Sequence, residues 1–337
     1  MKNKSYFFTL KNSEKGIVLL LVLWVITIML SIILSFSFMS RTEALSTFSF
    51  TDGIRRDFLA EAGIARALVE MMYTEEHIDD PLIDYEELWK PDGTVHEGQM
   101  SSGKFKVKIT SEQGKINLND EKSVTNLLKN VLLNKNIPQE DVDGIIDSII
   151  DWRDKDDLHR MNGAETEYYK SLEPPYKAKN ANFELIEELL FVKGITEELF
   201  YGSDEWGRGL KDFVTVYTNN RQINVNYAPE EVLRAEPSIL DETIEDVLTK
   251  RKEEKIDSSD LGVDNEFFAD NDDENKIYTI ESIGITERGF SSYGIKAVVK
   301  VTEDTLYTYM YWKNQSVIDM PEEETDFKEE KKSLFED

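Results

Sequence analysis

A chain of 337 residues with 40% hydrophobic and 11% aromatic content carries enough apolar mass for two or three modest domains. Its formal charge of -28 repels nucleic-acid phosphates and anionic lipid, and favours cations or basic partners. The lack of any cysteine excludes disulfides, zinc–thiolate sites and thiol catalysis, and fits a domain that folds outside the cytoplasm.

The first element is an uncharged apolar run, Ile17–Ser40, which ends at Arg41. Lys2, Lys4, Lys11, Glu14 and Lys15 precede it. At about 1.5 Å of helix rise per residue, some 24 residues reach roughly 36 Å, enough for a bilayer core of about 30 Å. The lysines place the N-terminus on the cytoplasmic side. Three readings of this start compete. A cleaved secretory signal needs an apolar stretch of about 7–15 residues and a small-x-small cut site; this run is too long and Ser35-Phe36-Ser37 is a poor site. A plain signal anchor explains the hydropathy but not the position of Gly16, where charge stops. A prepilin-type leader would be cut on the cytoplasmic side after Gly16, leaving the apolar helix as the start of the mature chain. Loss of that leader, with four lysines and one glutamate, would leave a charge of -31.

From Arg41 to Tyr73 the positions Leu45, Phe48, Ile54, Phe58, Ala62, Ala65, Leu68, Val69 and Met72 recur mostly at spacings of three and four, a one-sided helix. With the anchor it makes one long stem, with Gly53 and Gly63 as bends or close contacts and Thr51–Gly53 as the place where a break could fall. Residues His77–Gly103 read as a loop around Pro91-Asp92-Gly93. Phe105, Val107 and Ile109 then alternate with Lys104, Lys106 and Lys108, a half-buried strand, and a short strand follows at Lys115–Asn119. The period turns helical at Val124–Leu133, Val142–Trp152 and Phe183–Phe191. Strands return at Phe213–Tyr217 and Gln222–Asn226, helices at Pro229–Glu236 and Thr243–Lys252, and strands at Ile277–Ile283, Tyr293–Val301 and Leu306–Trp312. The acidic stretches Asp257–Lys276 and Pro321–Asp337 are poor in apolar residues and read as loop and tail. The order of strands, an all-helical block and strands again gives an α+β class with a helical domain inserted into a sheet.

An internal echo links Gly114-Lys-Ile-Asn-Leu-Asn119 to Arg221-Gln-Ile-Asn-Val-Asn226; each leads into a helix, with Asn as the expected cap. The same opening occurs in helix-hairpin-helix DNA-binding modules. Here the hairpin reads Glu236-Pro237-Ser238-Ile239-Leu240, without the glycines whose N–H groups would meet a phosphate. Phe191-Val-Lys-Gly-Ile-Thr196 sits among Glu184, Glu187, Glu188, Glu197 and Glu198. The charge favours a compact fold used for packing over a phosphate site.

Asp154, Asp156, Asp157, Asn162 and Glu165 supply oxygen ligands at spacings that match a calcium loop in part, though Leu158 and His159 depart from it. The alternative is a helix end at Asp151-Trp-Arg-Asp154 with a local Arg153–Asp pair. Asp264–Glu274 is a second acidic segment, read as a solvated loop. Catalytic signals are absent: His77, His96 and His159 lack metal-binding spacing, and Gly289-Phe-Ser-Ser-Tyr-Gly294 misses the nucleophile elbow by one position. No enzyme activity is expected.

Lys15-Gly16-Ile17, Trp24, Arg41-Thr-Glu-Ala44, Ala60-Glu-Ala-Gly-Ile-Ala65, Asp151-Trp-Arg-Asp154, Asn162-Gly-Ala-Glu165 and Ile223-Asn-Val-Asn226 resemble, in that order, the general secretion pathway protein K family, the large minor pseudopilins of type II secretion systems. The resemblance runs from Lys15 to about Trp312. It implies a pseudopilin fold, with a long N-terminal helix packed on an antiparallel sheet and a large all-helical domain inserted in that sheet. It implies a non-enzymatic subunit at the tip of the pseudopilus that caps or initiates it and supports protein export. Partners would be I- and J-type minor pseudopilins and, beyond them, secreted proteins, with no nucleic acid. Prepilin peptidase would cut between Gly16 and Ile17 and methylate the new amine. The protein would be a single-pass inner-membrane protein with a periplasmic C-terminal domain. The resemblance also favours calcium as the cofactor of the acidic loop.

Pseudopilins commonly carry glutamate five residues after the cut, where its carboxylate pairs with a neighbour's amine inside the apolar stack. Here that position is Leu21, and Ile17–Ser40 holds no acid. Since a lone charge in that stack costs several kcal/mol, a subunit without the carboxylate suits a cap better than a repeating position. The expected organisation is a leader (1–16), a transmembrane segment (17–40), the outer stem (41–73), the first part of the α/β domain (74–120), the inserted helical domain (121–211), the second part of the α/β domain (212–316, acidic loop near 257–276) and an acidic tail (317–337). A membrane-anchored helix-hairpin-helix DNA receptor is the alternative function. Mass spectrometry of the mature protein is expected to find a chain that begins at methylated Ile17; an intact Met1 would contradict the leader reading.

Overall fold

The computed structural model describes residues 13–77, 82–83, 85–204, 206–218, 221–262, 266–270, 276–287, 289–290, 293–302, 306–318 and 320. Lys2, Lys4 and Lys11, residues 321–337 of the tail and most of the second acidic segment lie outside them. By packing, the chain divides into Met1–Arg56 and Asp57–Asp337.

The first unit is the start of helix α1 (Ser13–His77). Its side chains from Ile17 to Phe50 are exposed, and the helix is long and apolar enough to cross a membrane. The stem is one continuous helix, with no break at Thr51–Gly53. A single glycine costs a helix interior only about 1 kcal/mol, the helix holds no proline, and Asp52 pairs with Arg56 across Gly53 at 2.9 Å.

In the second unit, α1 covers one face of an antiparallel sheet. Strands β1 (Asp92–Met100) and β2 (Gly103–Ser111) form a hairpin. After β2 the chain leaves the sheet and returns as β9 (Lys276–Thr286), the short β10 (Gly289–Phe290), β11 (Tyr293–Thr302) and β12 (Leu306–Val317). The order is β1-β2-β9-β11-β12, with β10 on β9. The sequence reading had a loop where β1 lies. That strand is polar and partly exposed along its length, so no clean alternation marks it.

The helix stripe that meets the sheet is Ala60, Ile64, Ala67, Leu68 and Met71, packed on Phe105, Val107, Ile109, Ile280 and Val299 among others. Of the nine positions expected to line this face, Leu68 is buried and Ala62 partly so, whereas Phe58, Ala65, Val69 and Met72 point outward. Small residues explain the rotation. Gly63 lies so close to the sheet that a Cβ there would fall 2.1 Å from Ser282 Oγ and 3.0 Å from Phe105 Cδ2. Bulky residues could not be seated on that line. Each aliphatic side chain buried here contributes about 1.5–3 kcal/mol.

Between β2 and β9 lies a lobe with its own core, running from Ile116 to Phe268 and including Leu127, Ile149, Tyr169 and Phe213. Its elements are β3 (Ile116–Asn117), α2 (Glu121–Ser123), a π turn (Val124–Leu128), α3 (Lys129–Asn134), α4 (Gln139–Arg153), α5 (Thr166–Lys170), a 3-10 turn (Ile186–Phe191) and α6 (Glu197–Tyr201). The small hairpin β4 (Gly202–Ser203) and β5 (Gly207–Arg208) follows, then β6 (Val214–Thr215), β7 (Ile223–Asn224), α7 (Glu230–Leu233), α8 (Asp241–Glu253) and β8 (Phe268–Ala269). The strands read at 213–217 and 222–226 therefore do not rejoin the sheet at residue 212. β3 pairs in parallel with β6, and β7 with β8. The acidic segment is in part ordered: Leu261, Phe267 and Phe268 are buried in the lobe.

The two Ile-Asn-x-Asn echoes fold alike. Asn117 and Asn224 each accept from the amide two residues on, at 2.8 and 2.9 Å. Asn119 clasps both backbone groups of Phe183, and Asn226 those of Ile256. Neither is the helix cap expected of it: Asp120 caps α2, and Pro229 precedes α7. An amide side chain satisfies donor and acceptor of one distant residue at once, which a cap cannot do. Replacement of Gly63 by Val is expected to destabilise the unit by about 1–3 kcal/mol through overpacking, measured by denaturant unfolding.

Candidate functional site

Three carboxylates converge where α4 ends. Asp151, in the last turn of α4, is fully buried; Asp154 is the first residue beyond the helix; Glu165 directly precedes α5. One ligand oxygen from each lies within 4.8 Å of the others. Asp151 is buried because the last turns of α4 are enclosed on several sides, with Ser148, Ile149, Ile150 and Trp152 buried as well. Trp152 beside it meets Tyr169 edge-on at 5.1 Å, which fixes α5 against α4.

The loop is wound around Asp151. Arg160 N donates to its carboxylate at 3.0 Å, and Arg160 Nε approaches at 3.7 Å. Gly163 must be glycine, since a Cβ would fall 1.9 Å from Asp151 Oδ2. Glu165 is 4% exposed. Neither of its oxygens has a well-formed hydrogen bond; the Thr166 N–H pulls on the charge only weakly. Burial first, and then the charges of Asp151 and Asp154, raise its carboxyl to about 7. Burial also raises Asp151 and Asp154. Three clustered carboxylates, whose charge the Arg160 guanidinium offsets only in part, are an oxygen-donor set for a hard cation, and the two orphaned oxygens of Glu165 fit that use.

Of the five residues read as a calcium loop, the structure brings together Asp154 and Glu165. Asp156 accepts from Leu158 N at 2.9 Å, and Asp157 lies 3.4 Å from the Asn180 amide. Asn162 donates to Asp147 through its backbone N–H, at 3.1 Å. Asp151, assigned to a helix end, is the third member. Asp147, Asp151 and Asp154 recur at spacings of four and three, and this acidic face of α4 was the signal for it. The expected Arg153–Asp pair gives way to a bond from Arg153 to the Leu118 carbonyl at 3.2 Å.

Gly16 and Ile17 lie in the first turns of α1. Ile17 and Leu21 are 64% and 61% exposed, on a helix whose whole apolar run lacks intramolecular cover.

Residues 103–217, from β2 through β6, match the family described as type II secretion system (T2SS), protein K, first domain. Over that span the chain is similar to type II secretion system protein K. It is 28% identical to protein K of Aeromonas hydrophila over 205 residues, which cover 56% of this chain and 61% of that protein. It is 27% identical to protein K of Pseudomonas aeruginosa over 210 residues, covering 60% of each. The chain thus spans about three fifths of the length of the curated relatives it matches. In fold it is similar to a chain in the crystal structure of the GspK-GspI-GspJ complex of the enterotoxigenic Escherichia coli type 2 secretion system. The TM-score is 0.57 at 14% identity, covering 81% of this chain and 99% of that one. The fold class read from the sequence, α+β with a long N-terminal helix on an antiparallel sheet and an inserted domain, is the one observed, but the inserted lobe is not all-helical: it carries the small two-stranded sheets of β3 with β6, β4 with β5 and β7 with β8.

The three carboxylates make a pH prediction for metal-free protein. A carboxyl whose folded pKa, about 7, exceeds its ordinary 4.5 binds its proton more tightly when folded. Its contribution is present below about pH 4.5 and is lost as pH rises to about 7. In chelator, the melting temperature is expected to fall across that window, and Glu165→Gln to remove the fall.

Proposed function

We propose that this chain is a minor pseudopilin of a type II secretion system, a non-enzymatic subunit that sits once at the pseudopilus tip and supports export. The observation that carries this reading is the pairing of an acid-free apolar stem with a sheet interrupted by a protein K domain. The stem enters the inner membrane with its N-terminus cytoplasmic, and prepilin peptidase cuts between Gly16 and Ile17. Leu21 offers no carboxylate to a following subunit, so the chain ends a stack rather than extending it. Transport is then a matter of assembly, not of bond chemistry.

Partners are the I- and J-type minor pseudopilins, as the names in the similar complex suggest. Phe58, Ala65, Val69 and Met72 form the stripe of α1 turned away from its own sheet, with Phe58 and Val69 66% and 60% exposed. Such a stripe has the composition of a helix-to-helix contact. In the acidic loop, calcium would be held by Asp151, Asp154 and Glu165. There it would offset the mutual repulsion of the carboxylates and tie α4 to α5.

Co-purification with I- and J-type subunits tests the assembly reading. Val69→Asp is expected to weaken the complex at least about tenfold while leaving the melting temperature of the isolated protein unchanged. Unchanged binding with Val69→Asp and Phe58→Asp together would remove this face from the assembly. Calcium added to the chelated protein at neutral pH is expected to raise the melting temperature, and Glu165→Gln to abolish the rise.

A further inference from the structure

Helix α1 covers only part of its sheet. The core beneath it draws on three strands, β2 (Phe105, Val107, Ile109), β9 (Tyr278, Ile280) and β11 (Ile295, Ala297, Val299), with β9 in the middle. The two margins of the sheet differ. On β1, His96 stacks on Trp89 at 4.2 Å, and Trp89 packs against the α1 core. On β12, among the described residues, no side chain joins that core.

The uncovered margin is aromatic. Tyr307, Tyr309 and Trp312 stand directly opposite Val301, Val299 and Ala297, so they share the face on which α1 lies. A bulge brings this about. Val298 pairs with Tyr311 and Val299 with Tyr309, which leaves Met310 as an extra residue and returns Trp312 to the side of Tyr309. The rings form a ladder, with centroids 5.5 Å apart between the tyrosines and 5.1 Å apart between Tyr309 and Trp312. They are 42%, 42% and 39% exposed. Sheet margins are usually blunted with charge, and contiguous apolar surface of this kind marks a place of contact.

Spacing decides what fits there. Strands lie about 4.8 Å apart and packed helices about 8–10 Å apart. With α1 centred on β9, a second helix beside it comes down two strands away, on β12. Phe58, Glu61, Ala65 and Met72, at spacings of three, four and seven, line one exposed flank of α1. That flank faces β12, since the charge of Glu61 reaches Tyr309. Among the described residues Glu61 forms no ion pair, so the flank offers an anion to whatever lies against it.

We propose that β12 and this flank of α1 form the seat of one amphipathic helix from a partner subunit, with small or aliphatic side chains on the aromatic ladder and a lysine or arginine opposite Glu61. The proposal rests on the assembly reading above and deepens it: the partner approaches from the β12 side, and the sheet shares the contact with the stem. An added strand fits less well, because the ladder of β12 is irregular at Met310 and again between Lys313 and Ser316, which spoils its edge as a template. A second copy of this chain fits less well too, because its formal charge of -28 repels its like and supplies no cation by preference.

Photo-cross-linking tests the seat in the full chain, co-expressed with the partner subunits of the assembly reading and purified in detergent. Benzoylphenylalanine in place of Tyr309, and separately in place of Tyr307, is expected to cross-link to a helical segment of one partner, identified by peptide mass spectrometry. Glu61→Lys, at an exposed position, is expected to lower the cross-link yield at least about tenfold with native circular dichroism. A complex that forms but gives no cross-link from either position, or gives cross-links to a strand, a loop or a second copy of this chain, would overturn the seat and leave the assembly reading standing. An undiminished yield in Glu61→Lys would overturn it as well. Failure of the parent chain to form the complex at all would overturn both.

Discussion

The ladder between β2 and β9 is the constraint on which the rest of the second unit depends. Lys104–Ser111 pairs with Ile285–Tyr278 residue for residue, although the lobe separates the two strands in sequence. Pairing partners this far apart carries a loop-closure cost, but one that grows only about 0.6 kcal/mol per doubling of loop length. A lobe that folds around its own core lowers even that, because its two ends emerge already held. Burial of Val107 and Ile109 against α1 then follows from the register. A slip of one residue would turn Lys106 and Lys108 inward.

The same ladder explains why the lobe is tolerated. Its attachments are the edge of β2 and the start of β9, which are neighbours in the sheet, so the insertion leaves every other ladder intact. Inside, two modules repeat one device. A short strand ends in Ile-Asn-x-Asn, the first Asn folds a local turn, and the second grips a distant backbone. The modules meet where Gly114 lies under Tyr227, so closely that a Cβ would fall 2.3 Å from its carbonyl oxygen. The echo in the sequence was therefore a repeat of construction, and its asparagines are clasps rather than caps.

How much was legible depended on what each residue needed. The half-buried β2 announced itself because lysines and aliphatics alternate strictly on a strand with one wet face. Helix α4 did so through Val142, Ile145, Ile149 and their neighbours. The sheet-facing side of α1 was misread by about one position in the turn, because alanine and glycine carry close packing there while larger residues point outward. The edge strand β1 escaped for want of a pattern. The end of the lobe was placed too early because β6 and β7 look like sheet strands in sequence, whereas β6 pairs with β3 and β7 with β8, which lies in the stretch read as loop. In the acidic loop, spacing identified Asp154 and Glu165, yet the decisive quantity was burial. Asp151 and Glu165 count because they are desolvated, and no local spacing reveals that.

The stem and the acidic loop pose opposite versions of one problem. In the loop, three carboxylates are held together with the Arg160 guanidinium offsetting only part of their charge, a state that costs stability unless a proton or a cation intervenes. In the stem, the apolar run from Ile17 to Met39 is exposed along its whole length, at about 25 cal/mol per Å² of surface left in contact with water. Neither is a stable end state for an isolated chain in buffer. Each becomes favourable in the surroundings it lacks, a cation for one and a hydrocarbon phase or neighbouring apolar helices for the other. With glutamate at position 21 the stem would also carry a charge that demands one particular neighbour. With Leu21 the demand is only for apolar cover.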